Sequence, residues 1–129
     1  MRKSKTVKGF NNFKMTENVY KLRRIVLKYI YELKNEGLKL PRVDVRVGNA
    51  TKCQTLGIAK LKKNIIFITE KAIEMKDDEV RVIVYHELLH AILGQSHVKG
   101  CPIMNSVVSD PIPKMKAVEI FKKYYNKVA

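Results

Sequence analysis

His86, Glu87, His90 and His97 are the residues of this chain whose types and spacing can do chemistry. His86-Glu87-Leu88-Leu89-His90 is an HExxH stretch, the pattern of a zinc site with a built-in general base. Positions i and i+4 of a helix share a face, so His86 and His90 can offer two imidazoles to one metal ion. Glu87, one step round, can reach a water held by that ion. All three histidines of the chain fall between residues 86 and 97. The plainer alternative is a pair of core histidines and a glutamate satisfied by hydrogen bonds. Val80, Val82–Tyr85, Leu88, Leu89 and Ala91–Leu93 surround the motif, so the helix is expected to be buried. Titratable groups there without a metal or partners would be costly.

A catalytic zinc takes three protein ligands and keeps one position open for water. His97 is the first choice for the third ligand, because Gly94 can reverse the chain just before it. Cys101 is the second; it would close a cysteine–histidine shell and imply a structural site. Glu119 and then Asp110 are further alternatives. Zinc would lower the pKa of a bound water towards ~7 and polarise a substrate carbonyl. Glu87 would take the proton as general base and pass it to the leaving amine. The expected activity is zinc-dependent cleavage of protein or peptide substrates.

The elements that must position these residues follow from periodicity. Thr16 can cap a helix starting near Glu17, in which Leu22, Ile25, Val26, Tyr29, Ile30 and Leu33 recur at helical spacing until Gly37. Val43–Val47 alternates as a half-buried strand does. Residues 57–61 and 65–69 read as a hairpin, with Ile65–Thr69 as the strand bordering the cleft, open to an extended peptide by strand addition. Asp77 or Asp78 is expected to cap the motif helix, which runs to about Leu93 with Gly94 left-handed. After Asp110-Pro111-Ile112-Pro113, Met115, Val118 and Phe121 form the apolar edge of a last helix.

Length and composition place the chain as one domain with a real core, since 129 residues carry 46% hydrophobic residues. Lys and Arg number 26 against 12 Asp and Glu, a formal net charge of +14. Most of that charge reads as a lysine-rich solvated surface. The sharper reading is attraction to an anionic partner, with the lysines, arginines and tyrosines of the first helix as a possible nucleic-acid surface. Cys53 and Cys101 make no disulfide framework and read as free thiols. No apolar run approaches a membrane span, and Met1-Arg2-Lys3-Ser4-Lys5 is not followed by an apolar signal region. A cytoplasmic monomer is expected. Residues 1–14 read as a flexible basic arm and 15–129 as the catalytic domain.

His86-Glu87-x-x-His90, Gly94-x-x-His97 and the following Ile103-Met104 together resemble the metzincin family of zinc metalloproteases, and its small matrixin-like members most. The resemblance implies a small zincin-like α+β domain: an N-terminal helix on a short mixed sheet, a central active-site helix, a Met-turn and a C-terminal helix. It further implies zinc on His86, His90 and His97, catalysis by Glu87, and Met104 as the Met-turn residue; an ordinary core methionine is the plain alternative. The family places its glycine third and its histidine sixth after the second zinc histidine. Here they are fourth and seventh, and one extra residue turns a helix by ~100°. No tyrosine stands just after Met104, where Asn105 and Ser106 follow, so an oxyanion-stabilising tyrosine near that turn is not supported. Leu56–Ala59, Ile65–Thr69 and Val84–His90 are also similar to SprT-like metalloproteases, some of which act on DNA-bound proteins. A third possibility is a basic nucleic-acid-binding module with a structural zinc on Cys101.

Overall fold

Leu22, Val26, Tyr29 and Leu33 lie one helical turn apart and are fully buried, which sets the inner face of the first helix, α1 (Glu17–Asn35). Each such side chain contributes about 1.5–3 kcal/mol by leaving water. Gly37 (φ 93°) ends the helix as the spacing predicts. Its amide reaches Lys34 O and the Leu38 amide reaches Leu33 O, and Leu38 folds back into the core. The computed structural model describes residues 17–48, 57–60, 63–106 and 111–128. The arm of residues 1–14, the Thr16 cap, Cys53 and Asp110 lie outside the described residues.

The molecule is a small α+β domain. Strands β1 (Asp44–Gly48), β2 (Gly57–Lys60) and β3 (Ile65–Thr69) form a mixed sheet in the order β1-β3-β2. β1 runs parallel to β3, with Asp44 opposite Ile65. β2 runs antiparallel to β3, with Gly57 opposite Ile68. Val45 and Val47 are buried between exposed Asp44 and half-exposed Arg46, which is the alternation legible in the sequence. One expectation is overturned. Ile65–Thr69 is the central strand, hydrogen-bonded on both sides, so no peptide can add to it. Among the described residues the outer strand beside the motif helix is β2. Ile66 and Ile68 are completely buried, and a strand so apolar is better used in the middle of a sheet.

A 3-10 turn (Glu70–Glu74) leads from β3 into α2 (Asp77–Leu88), which continues without a break into a π turn (Leu89–Leu93). The N-cap is Lys76, not Asp77 or Asp78. The Lys76 amide donates to Glu79 Oε1 at 2.8 Å, and Asp77, Asp78 and Glu79 fill the positive first turn. Every residue from Val80 to Leu89 is buried. The helix is held against α1 by Arg81, whose guanidinium grips Glu32 through Nε at 2.9 Å and Nη2 at 3.1 Å, and Asp78 at 2.5 Å. Tyr85 Oη donates to the same Glu32 carboxylate at 3.2 Å.

Helix α3 (Lys114–Val128) closes the core. Phe121 meets Tyr85 edge-on with centroids 5.4 Å apart. Its inner edge is Ala117, Val118 and Phe121; Met115, expected there, is 81% exposed. Met115 lies two residues into the helix, before the turn at which α3 settles on α2. Among the described residues no helix is long and apolar enough to cross a membrane.

Candidate metal centre

α2 and its π turn carry His86 and His90 on one face, as their spacing requires. Gly94 (φ 68°, ψ 22°) then takes the left-handed conformation and reverses the chain. Its amide bonds His90 O at 3.0 Å and the Gln95 amide bonds Leu89 O at 3.1 Å, a wide closure that suits the π turn. His97 returns beside the helix. His90 Nε2 lies 3.1 Å from His86 Nε2 and 3.2 Å from His97 Nε2. The ligand atoms of the three histidines all lie within 4.8 Å of one another. This trio can hold a metal ion.

The tautomers strengthen that statement. His86 Nδ1–H donates to the Ile103 carbonyl at 2.6 Å, and His90 Nδ1–H donates to the Gln95 carbonyl at 2.6 Å. A carbonyl only accepts, so the proton sits on Nδ1 in both rings. Burial, together with the neighbouring imidazoles, pushes both pKa values down, so both rings are neutral near pH 7. Their Nε2 atoms are then bare lone pairs facing each other. Two acceptors at 3.1 Å repel unless a cation lies between them. The carbonyl anchors are the partners that metal-bound histidines normally have.

Burial is graded across the trio. His86 is buried, His90 half-buried and His97 exposed, so the cluster opens to solvent on the His97 side. Glu87 follows His86 by one residue, ~100° round the helix. It is 7% exposed, and burial pushes its carboxyl up to about 7.

The turn after His97 is built by backbone bonds. The Val98 amide donates to Met104 O at 2.7 Å, Cys101 to Val98 O at 3.1 Å, and Asn105 to Cys101 O at 3.1 Å. Ile103 and Met104 are fully buried there. Cys101 Sγ accepts the Met104 amide at 3.3 Å and also meets the Tyr124 hydroxyl. It is not one of the three clustered ligands. Glu119 is exposed on α3, in a groove with Glu36 and Lys122.

Reading residue types located the three histidines but not their anchors. Ile103 and Gln95 act through main-chain oxygens, which leave no trace in side-chain identity. Compared with family models, curated proteins and solved structures, the chain matches none of them.

Proposed function

We propose that this chain is a zinc-dependent endopeptidase in which His86, His90 and His97 hold the metal and Glu87 is the general base. The observation that carries this reading is the convergence of the Nε2 atoms, with both inner rings locked as Nδ1–H tautomers. Tetrahedral zinc with Zn–N near 2.1 Å needs ligand atoms about 3.4 Å apart. The two spacings to His90, 3.1 and 3.2 Å, are close to that value, and all three ligand atoms lie within 4.8 Å of one another. The exposed side of the trio, at His97, leaves room for the open fourth position of a catalytic site.

Zinc, when bound, supplies a Lewis acid and a water of lowered pKa. Glu87, whose carboxylate form a nearby dication would favour, would take a proton from the attacking water and deliver it to the leaving amine. His86 and His90 keep their Nδ1 protons on the Ile103 and Gln95 carbonyls throughout, which fixes the ring planes. An extended substrate is accommodated by the outer edge of β2, the strand beside α2 and the π turn.

The metzincin-like reading is supported by how the extra residue before Gly94 is absorbed. A π turn carries one residue more than an α turn, and it falls at Leu89–Leu93, which contains the second histidine and ends at the glycine. Buried Met104, on the tight turn whose Ile103 carbonyl anchors His86, supports the same reading. The test is zinc stoichiometry with peptide cleavage. One zinc per chain, cleavage by wild type, and zinc retained without cleavage by Glu87→Ala are expected. Zinc bound with no cleavage by either protein across a broad peptide library sinks the enzyme reading.

A further inference from the structure

A second feature stands apart from the histidines. A half-open groove of about 720 Å³ runs between the outer side of α1 and the starts of β1 and β3. Its rim carries Lys34, Arg42 and Lys63, all exposed. Among the described residues no carboxylate pairs with any of the three. Asp44, the one acidic residue in the lining, is already neutralised by Arg46 at 2.7 Å. Arg23, at the far end, is engaged with the Val45 carbonyl. The floor is apolar, from Leu27, Ile30 and Ile65. Tyr31 stands on the wall, 59% exposed, with Lys34 Nζ 5.4 Å from its ring centroid.

We propose that this groove binds a short single-stranded segment of nucleic acid, with Lys34, Arg42 and Lys63 on phosphates and Tyr31 stacking on a base. Unpaired cations around a concave surface attract a polyanion. An exposed aromatic ring beside them adds what a base uses and an acidic peptide does not. Arg23 and Lys34 are about 16 Å apart along α1, at 1.5 Å per residue, which is room for a few nucleotides. A membrane surface fits less well, because the cations rim a cleft rather than share a flat face. The groove needs no metal, so this inference stands or falls independently of the peptidase reading.

The test is fluorescence anisotropy of a labelled oligothymidylate of about twelve nucleotides against the full chain, titrated with salt. Three phosphate contacts predict a slope of log K on log salt near −2, about a fifteen-fold loss for a fourfold rise in salt. Arg42→Gln with Lys63→Gln should flatten the slope to about −0.7. Tyr31→Ala should weaken binding about tenfold at unchanged slope. All three side chains are exposed, so these substitutions leave the core intact. Lys123→Gln, on α3, should lower the slope less than Arg42→Gln alone. A duplex of equal length should bind more weakly than the single strand. The proposal is overturned by no binding at low salt, by polyglutamate competing as well as the oligonucleotide, by wild-type affinity in Tyr31→Ala, or by equal effects of Lys123→Gln and Arg42→Gln.

Discussion

The Asn64 amide donates to the Ala91 carbonyl at 3.2 Å, while the Asn64 carbonyl accepts the Asp44 amide at 2.9 Å. One residue thus ties the tip of the β2–β3 hairpin to the start of β1 and to the π turn that carries His90. Near a helix end carbonyls lose their intrahelical donors, and the Asn64 amide serves Ala91. Asn64 does this at φ 55°, a left-handed conformation that asparagine tolerates and most residues do not.

That conformation makes a first prediction. Asn64→Ala should cost about 1–2 kcal/mol, because alanine has a Cβ that pays the left-handed penalty and no polar side chain to offset it locally. Asn64→Gly keeps both backbone bonds without that penalty and should stay within about 0.5 kcal/mol of wild type. Urea midpoints measure both. Equal losses would place the effect in the asparagine side chain instead of the backbone.

Metal binding should stabilise the fold, because the trio brings together residues up to eleven positions apart in the chain around a reversal. Zinc at a hundredfold its Kd should add about 2.7 kcal/mol. For a domain of this size that raises Tm by roughly 10 °C, and a chelator should reverse it. His97→Ala should keep less than half of the rise, and His86→Ala none. An unchanged rise in His97→Ala would remove it from the ligand set. Cys101→Ser should leave the rise intact, since its sulfur is occupied by Met104 and Tyr124.

The histidine pair, the glycine reversal and the helical faces were legible because each is a matter of spacing along one element. Val26 to Leu33, His86 to His90 and Gly94 obey local geometry. The order of the strands was not, since hairpin periodicity says that β2 and β3 pair but not that β1 takes the other side of β3. Lys76 as N-cap was hidden because its capping partner is Glu79, three residues on, and two aspartates stood in more familiar positions. Met115 looked apolar and belonged to a helical stripe, yet the end of a helix can extend beyond what it packs on. The π turn left no compositional mark.

Arg81 and Glu32 join α2 to α1 in a nearly dry place, with side chains 7% and 11% exposed. Removing one partner strands the other. Glu32→Ala should therefore cost about 3–5 kcal/mol, because Arg81 keeps only the half-exposed Asp78 and Tyr85 loses its acceptor. Arg81→Met combined with Glu32→Leu should cost much less than either single loss, since neither charge is then buried. Denaturant midpoints of the two singles and the double decide it. A double variant as unstable as the sum of its parts would mean that the pair is not coupled.

Glu87 sets the pH behaviour of the metal-free fold. Its carboxyl is raised from the ordinary 4.5 to about 7 by burial, so between those values the folded chain holds a proton that the unfolded chain has lost. Stability from this group is therefore full below about 4.5 and is lost as pH rises through about 7, by up to roughly 3 kcal/mol. His86 and His90 act in the opposite sense. Their values are lowered by burial, so their contribution is full above the ordinary histidine value near 6.5 and falls as pH drops below it. Glu87→Gln removes the first trend alone. In the presence of a chelator, the variant should gain on wild type as pH rises from 5 to 8. Adding zinc should shrink that gain, because a nearby dication favours the carboxylate. Parallel stability curves for the two metal-free proteins over this range would show that the Glu87 carboxyl is not held in a desolvated site.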